Sequence, residues 1–204
     1  ATDSHYKLSD AKYPIIFEYV GQDTAVVKIA VNDGKAIKND LIYGSVSGKK
    51  VDEDGNALGG AMIGLFRTDD GEFTKENALM TTTSAEDGSF SFENIPCGTW
   101  YVREIEQPTG FVLDDTIYPV TIGTDGQVVE IEIVNEYGRG NIHLTKVDSE
   151  YPDNKLTGAV FEVYKDSNNN SKLDEGDELL GTLTEKEIGE YGMTDLFYGR
   201  YFVK

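Results

Sequence analysis

Hydrophobic and polar residues alternate along much of this chain with the period of two that is typical of β-strands. The alternation is clearest at Val128–Val134, and Ala25–Val31 is a second run rich in β-branched residues. The same period continues through Ser89–Phe92 and Trp100–Glu104. Clusters of Gly, Asp and Asn, such as Asp54–Asn56, separate these runs at turn positions. Short strands with turn signals at this spacing predict an all-β fold, an antiparallel β-sandwich of the immunoglobulin-like type.

Several segments of the sequence occur twice, at a separation of about 100 residues, which is too long for a solenoid unit and right for tandem small domains. The matched pairs are Lys50–Asp52 with Lys146–Asp148, Leu58–Phe66 with Leu156–Tyr164, Gly98–Arg103 with Gly199–Lys204, and Tyr6–Ile15 with Phe111–Val120. The repeat therefore predicts a tandem array of small domains, of which this chain holds one complete member and parts of two others.

The repeat also predicts the domain boundaries. Residues 1–44 are expected to be the closing strands of a preceding domain, 45–138 a complete domain, and 139–204 the opening part of a following domain. The links between them are short and contain no long Ser- or Pro-rich stretch, so neighbouring domains of the same array are the expected partners, held semi-rigidly. The two terminal pieces together would tile nearly one domain, which predicts a second partner, another copy of the chain bound head to tail.

Charge and cysteine content narrow the function. The chain of 204 residues carries 37 acidic and 18 basic side chains, a net charge of −19, which argues against nucleic-acid binding because phosphates require clustered Lys and Arg. No stretch approaches the roughly 18 apolar residues of a membrane helix. The single cysteine, Cys97, excludes an internal disulfide and is interpreted as a packing residue.

Three polar residues continue strand faces that the alternation marks as inward, namely Lys50, Glu104 and Asn135. The apolar faces that they extend are Val46–Gly48, Trp100–Val102 and Val129–Ile131–Ile133. An isolated buried charge is very costly, so the three side chains must meet or one of them must lose its charge. The pattern alone is compatible with a buried Lys50–Glu104 salt bridge to which Asn135 hydrogen-bonds, and with a reactive group of three.

The segment Trp100–Phe111 resembles the Glu-Thr-x-Ala-Pro-x-Gly-Tyr box of Cna B-type, prealbumin-like domains, the repeats of Gram-positive surface adhesins and sortase-assembled pilins. The Lys50–Asp52 opening, the Leu58–Ala61 step and the closing strand that ends at Asn135 are similar to the same family. Three positions depart from the pattern: Ile105 replaces the box threonine, Gln107 the alanine, and Gly48 an apolar strand residue. The glycine predicts a looser strand beneath Lys50.

The resemblance implies a prealbumin-like sandwich with an intramolecular isopeptide bond between Lys50 and Asn135, promoted by Glu104. A desolvated lysine loses its proton more easily, and a buried protonated glutamate can polarise the amide. Such a domain turns over once and is not an enzyme, and it requires no cofactor. It would be a structural stalk or shaft repeat of a cell-surface adhesin or pilus, extracellular and anchored to the cell wall through segments outside this chain.

The flanking pieces carry incomplete counterparts of this group. Asn39 corresponds to Asn135 and Lys146 to Lys50, because the two intervals from asparagine to lysine are equal. Neither piece contains the corresponding box glutamate, so no bond is expected between Asn39 and Lys146.

An acidic stretch near the C-terminal end has the spacing of an EF-hand-type calcium loop. The oxygen donors of this loop would be the side chains of Asp166, Asn168, Asn170, Asp174 and Asp177 and the backbone carbonyl of Lys172. Ser171 replaces the usual glycine and Asp177 the bidentate glutamate, so calcium is a candidate ligand and a polar hairpin is the alternative.

Two other functions remain open from the sequence. One is an adhesin module that binds a host surface ligand, a glycan or a matrix protein, and the other is a spacer domain of an extracellular enzyme. Against the first, the sequence shows no obvious aromatic platform outside the expected core, although Tyr43 and Tyr137 lie near the links.

Overall fold

The structure is a computed structural model that describes residues 4–16, 21 and 30–204. Residues 25–29 of the strand predicted at Ala25–Val31 lie outside the described residues. Before the first strand, the described part contains a short 3₁₀ turn at Val31–Gly34 and a β-bridge between Tyr6 and Leu41. In the described residues no helix is long and apolar enough to cross a membrane.

The segment predicted to be a complete domain forms seven strands. They are β1 (Tyr43–Asp52), β2 (Met62–Phe66), β3 (Met80–Thr83), β4 (Ser89–Pro96), β5 (Gly98–Glu106), β6 (Tyr118–Ile122) and β7 (Val128–Asn135). One sheet has the order β4-β1-β7 and the other the order β3-β2-β5-β6. The all-β prediction is therefore confirmed, and we call this seven-stranded segment the complete unit.

One strand pair departs from the antiparallel arrangement that the sequence analysis predicted. Strands β1 and β7 run parallel, from the pair Ser45–Val128 to the pair Asp52–Asn135. Parallel neighbours need a long crossover connection, and here the connection between the first and last strands is the whole unit. The first and last strands therefore end at the same edge of the sandwich.

Side chains that alternate inward fill the space between the two sheets. On β1, buried and more exposed residues alternate strictly from Gly44 to Asp52, as the period-two pattern requires. The fully covered core comprises Val46, Ala61, Ile63, Leu65, Phe90, Phe92, Ile95, Trp100, Val102, Val120, Ile122 and Ile133, with Ile42 at its edge. Lys50, Glu104 and Asn135 are buried within the same interior.

Gly48 does not interrupt β1. It lies opposite Phe90 of β4, and a Cβ atom at this position would fall 2.0 Å from Cζ of the Phe90 ring. The ring therefore occupies the space that an apolar side chain at position 48 would fill, and Phe90 is itself buried. The expectation of a looser strand is corrected, because the aromatic ring covers the glycine and the ladder continues to Lys50 and beyond.

The remaining residues form six further strands. They are β8 (Arg139–Thr145), β9 (Glu162–Lys165), β10 (Glu178–Thr182), β11 (Thr184–Glu187), β12 (Glu190–Phe197) and β13 (Tyr201–Val203). Two sheets of order β11-β12-β8 and β10-β9-β13 enclose a smaller core around Val163, Leu183 and Tyr191. We call this segment the C-terminal unit.

The backbone contacts around Lys50 recur around Lys146. In each unit the lysine N–H donates to a glycine carbonyl, and the lysine carbonyl accepts from a leucine N–H. The bonds are Lys50 to Gly88 (2.7 Å), Leu58 to Lys50 (2.9 Å), Lys146 to Gly189 (2.8 Å) and Leu156 to Lys146 (2.9 Å). The sequence repeat therefore corresponds to the same local fold at the start of both units.

The link between the two units is hydrogen-bonded on both sides. The Gly138 N–H donates to the Gly110 carbonyl of the complete unit at 2.7 Å. The Gly138 carbonyl accepts from the Tyr198 N–H of the C-terminal unit, also at 2.7 Å. Arg139 adds side-chain contacts, because its guanidinium group contacts Glu53 on one side and Asp195, at 3.2 Å, on the other.

The same backbone pattern precedes the complete unit. The Ile42 N–H donates to the His5 carbonyl at 2.9 Å, and the Ile42 carbonyl accepts from the Cys97 N–H at 3.0 Å. Cys97 is half-buried and packs against the core, in agreement with its interpretation as a packing residue. Two successive links thus use one arrangement of backbone hydrogen bonds.

We expect Gly48→Ala to lower the free energy of unfolding by about 1–3 kcal/mol, because the added methyl group must displace a packed ring. Denaturant unfolding measures the change. Adding Phe90→Leu should recover part of the loss. Gly140→Ala is the matched control: Gly140 lies on β8, and a Cβ atom there would have no neighbour within 4 Å. If the Gly48→Ala protein were as stable as this control, the Phe90 ring would be able to move aside without lowering the free energy of unfolding.

Candidate functional site

Three strands each contribute one polar side chain to the interior of the complete unit. Lys50 comes from β1, Glu104 from β5 and Asn135 from the end of β7. Their exposed fractions are 0%, 1% and 0%. The structure thus brings together the three residues that the strand alternation singled out, and we call them the buried trio.

The strand register explains why the three side chains converge. On the parallel pair β1–β7, Lys50 lies opposite Ile133, so Asn135 is two residues further along the neighbouring strand. Residues two apart on a strand share a face, and both side chains therefore point inward. Glu104 approaches from the other sheet, where it pairs with Ile63, so the trio bridges the two layers of the sandwich.

Glu104 lies at the centre of the hydrogen bonds within the site. Its Oε2 atom accepts from the side-chain Nδ2 of Asn135 at 2.7 Å and from the backbone N–H of Asp114 at 2.8 Å. The same Asn135 amide group also donates to the Val112 carbonyl at 2.5 Å. Asn135 is therefore held on two sides while its carbonyl oxygen remains available.

Lys50 makes only weak contact with the glutamate. Its Nζ atom donates to the Ile133 carbonyl at 3.1 Å and lies 3.9 Å from Glu104 Oε1. Within the described residues, Glu104 Oε1 and Asn135 Oδ1 are buried and have no hydrogen-bond partner. Buried polar atoms are nearly always paired, so these two oxygens are unusual features of the interior.

Burial shifts both ionisable groups toward their neutral forms. It lowers the pKa of Lys50 below 10.5, although the charges of Glu104 and Asp114 act in the opposite direction. It raises the pKa of Glu104 above 4.5, against the hydrogen bonds from Asp114 and Asn135 and the charge of Lys50. Desolvation penalises charged forms in this way. Both shifts act against the charged pair, whose Nζ–Oε1 distance of 3.9 Å is long for a salt bridge.

A buried amine, a carboxyl group and a carboxamide are together the components that an acyl transfer requires. In its neutral form the Lys50 amine can act as a nucleophile, the Asn135 side-chain carbonyl can act as an electrophile, and a protonated Glu104 can polarise that carbonyl. No external group is needed for this chemistry, and solvent is kept out by the core around the trio.

The two counterparts in the flanking segments lie in different surroundings. Ile142 and Leu144 of β8 are half-buried, but Lys146 is exposed, and so is Asn39. Lys146, which follows the last residue of β8, therefore does not occupy a buried position like that of Lys50. In the complete unit β1 lies between β4 and β7, whereas in the described residues β8 is hydrogen-bonded only to β12.

One part of the site was missed by sequence analysis, the segment between β5 and β6. Val112 and Asp114 supply the backbone groups that hold Asn135 and Glu104, and Tyr118 donates to Asp114 Oδ2 at 2.7 Å. This segment has no period-two pattern. Its only signal is position, because it directly follows the box that ends at Phe111.

The acidic stretch at Asp166–Asp177 forms a loop that folds around its own side chains. Asp166 Oδ1 accepts from the Asn170 N–H at 3.1 Å, and Asn170 Oδ1 accepts from the Lys172 N–H at 2.8 Å. Ser171 has a φ of +64°, the left-handed conformation that a glycine adopts more easily. Ser171 thus adopts the left-handed backbone conformation for which calcium loops of this type use glycine.

The charges in this loop are not gathered around one point. In the described part of the chain, no three His, Cys, Asp or Glu side chains lie close enough together to hold a metal ion. Arg200 also lies 3.0 Å from Asp166 Oδ2 and occupies one oxygen that a cation would use. Asp177 Oδ1 is buried without a partner among the described residues. Calcium binding stays a prediction and would require the loop to rearrange.

Comparison with known families gives one result. The family model described as SpaA, prealbumin-like fold domain, matches the chain twice, at residues 44–137 and 140–204. The matched residues make up most of the chain. No curated protein matches it.

Among solved structures, the Bacillus anthracis TIE protein has 28% sequence identity and a TM-score of 0.64, over 81% of this chain and 28% of that one. A Streptococcal ancillary pilin has 24% identity and a TM-score of 0.45, over 90% of this chain and 63% of its own. A single-residue variant of BcpA, the major pilin subunit of Bacillus cereus, has 15% identity and a TM-score of 0.43, over 78% of this chain and 56% of that one. This chain spans less than two thirds of each of these three solved chains.

We expect calcium to bind the Asp166–Asp177 loop only weakly, with a dissociation constant of about 10⁻⁴ M or higher, because Ser171 is strained and Arg200 competes for Asp166. Calorimetry at millimolar calcium measures the affinity. Asp166→Ala should abolish the heat, Arg200→Ala should increase the affinity, and Asp153→Ala, in an exposed turn outside the loop, is the control. Absence of heat with the unsubstituted protein would remove calcium from consideration.

Proposed function

Because the chain belongs to the family of SpaA prealbumin-like fold domains, we propose that it is a structural repeat from the stalk or shaft of a bacterial surface adhesin or pilus. In this proposal the complete unit is stabilised by an autocatalytic isopeptide bond between Lys50 and Asn135, which Glu104 promotes. The protein has no turnover as an enzyme, and its product is its own crosslinked fold. Its place in this proposal is outside the cell, on the bacterial surface.

The observation that supports the proposal is the composition of the buried trio. A lysine with no exposed surface, 3.9 Å from a buried carboxyl oxygen, is expensive to maintain unless it is neutral or consumed in a reaction. Conversion of Lys50 and Asn135 into a neutral amide removes the buried amine altogether. The bond would also account for the buried position of Asn135, because its side chain supplies the carbonyl group of the new amide.

The reaction balances without a co-reactant. The neutral Lys50 Nζ attacks Asn135 Cγ, while the Glu104 proton is shared with the carbonyl oxygen as negative charge develops there. The Nζ–Cγ bond forms and the Cγ–Nδ2 bond breaks. One proton from Nζ leaves with the NH₂ group as ammonia, and the Glu104 proton is recovered when the carbonyl re-forms.

The crosslink would stabilise the unit through its connectivity. It joins the first and last strands and closes a loop of about 85 residues. By analogy with disulfides, the lower entropy of the crosslinked unfolded chain would stabilise the fold by roughly 4–5 kcal/mol at 25 °C. A secreted small domain normally needs such a staple, and one cysteine cannot supply it.

The first prediction from this proposal is that the purified protein weighs about 17 Da less than its sequence mass, the mass of one ammonia. Intact-mass spectrometry measures the difference, and a peptide map should show Lys50 joined to Asn135. Glu104→Gln should abolish the loss, because glutamine cannot supply the acidic proton. Glu106→Gln, two residues further on β5 and exposed, should crosslink normally. A full sequence mass for the unsubstituted chain would refute the proposal.

The second prediction concerns pH. Bond formation requires neutral Lys50 and protonated Glu104, so its rate should fall on the acidic side as Lys50 gains a proton and on the alkaline side as Glu104 loses one. Burial lowers the pKa of Lys50 and raises that of Glu104, which moves both limits toward neutral pH. The initial rate of mass loss in newly synthesised protein, measured at several pH values, tests this. A rate that increased steadily up to the ordinary lysine pKa would exclude Glu104 as the acid.

A further inference from the structure

The segment that connects β5 to β6 contacts both electrophile and acid of the proposed reaction. Its Val112 carbonyl accepts from Asn135 Nδ2, and its Asp114 backbone N–H donates to Glu104 Oε2. The Val112 N–H is bonded in turn to the carbonyl of Glu136, at 2.9 Å, so the segment is fixed to the end of β7. These contacts place two backbone groups of one short segment against the two residues that Lys50 must react with.

The contacts distinguish the two oxygens of Glu104. Oε2 accepts two N–H groups, from Asp114 and Asn135. Oε1 accepts none from the described residues and faces Lys50 Nζ at 3.9 Å. A carboxylic acid keeps its proton on the oxygen that is not already approached by donors, because two hydrogens cannot share one hydrogen bond. In the protonated form of Glu104 the proton therefore belongs on Oε1, the oxygen that faces Lys50.

The position of the Asp114 N–H depends on its own side chain. Asp114 Oδ2 accepts from the Tyr118 hydroxyl at 2.7 Å, and Oδ1 accepts from the Thr116 N–H at 3.0 Å. Tyr118 begins β6, packs against the core and pairs with Val102 of β5, two residues before Glu104. A chain of contacts thus runs from the sheet through Tyr118 and Asp114 to the acid.

We propose that Asp114, anchored by Tyr118, is a positioning residue for the Lys50–Asn135 bond: its backbone N–H holds Glu104 Oε2 as an acceptor and so directs the proton to Oε1. This inference rests on the proposed function. Asp114 acts through Glu104 and does not contact the reacting atoms by its side chain.

The ionisation of Asp114 is consistent with this role. Burial alone would raise its pKa, but the hydrogen bonds from Thr116 and Tyr118 outweigh that effect and hold the pKa below its ordinary value. The side chain is therefore a carboxylate, able to accept both bonds. Its neighbour Asp115 is exposed and has the same charge, which makes it a suitable control.

The test follows bond formation in newly synthesised full-length chain. Protein from cell-free translation is quenched in acid at intervals, and intact mass gives the fraction that has lost ammonia. We expect Asp114→Ala and Tyr118→Phe to slow the loss by about tenfold or more, since small displacements of a catalytic group have large effects on rate. Asp114→Asn should recover most of the rate because its amide can still bond to Tyr118 and Thr116. Asp115→Ala should match the unsubstituted chain.

A second measurement separates positioning from folding. The same substitutions are placed in an Asn135→Ala chain, which cannot crosslink, and their thermal unfolding is compared. Positioning predicts that Asp114→Ala slows the bond far more than its loss of stability explains, with Asp114→Asn as rescue. Unchanged rates in Asp114→Ala and Tyr118→Phe would overturn the inference and leave the proposed function standing. An unsubstituted chain that never loses ammonia would overturn the proposed function itself.

Discussion

The complete exclusion of water from the Lys50 side chain is the constraint on which the rest of the complete unit depends. A lysine whose exposed fraction is zero needs close carboxylate partners to stay charged, and the Glu104 carboxyl oxygen lies 3.9 Å from its amine. Desolvation therefore acts against the charged amine. It acts in the same way on the carboxyl group of Glu104, whose pKa it raises, while Asn135 carries no charge. In the proposed reaction all three side chains are neutral, so they can be buried together without an isolated charge.

The parallel pairing of β1 and β7 gives this site its place in the molecule. Because the two strands end at the same edge, the chain leaving Lys50 and the chain leaving Asn135 emerge side by side. They meet at once, since the Tyr137 hydroxyl donates to Asp52 Oδ2 at 2.7 Å, an interaction that lowers the pKa of Asp52 and raises that of Tyr137 to about 12. The ends of the two strands thus form one surface, and the next unit docks on it.

Strand alternation predicted the face on which each residue lies, and this was sufficient to find Lys50, Glu104 and Asn135. It does not show which strands are neighbours, so the parallel pair escaped prediction. It also does not show which side chain of a neighbouring strand covers a glycine. The Phe90 ring over Gly48 was therefore not foreseen, and the glycine was expected to loosen the strand. Asp114 lies in an irregular segment whose contacts depend on tertiary structure, which no local pattern encodes. Lys146 has the right parity but is exposed, because burial depends on the strands that lie beside it.

The junction after the complete unit follows from the same geometry. Phe111 and Tyr137 stack with ring centroids 5.1 Å apart, and Phe197 of the C-terminal unit meets Tyr137 edge-on at 5.2 Å. This aromatic cluster, which sequence analysis did not find, lies directly beyond Asn135. In the proposed crosslinked unit the Lys50–Asn135 bond would fasten together the two segments that build the docking surface. Tension passing along the array would enter through β1, cross at the bond and leave toward Arg139, while the intervening strands carry none of it. The proposed bond and the contacts that hold the next unit would then lie on the same path along the chain.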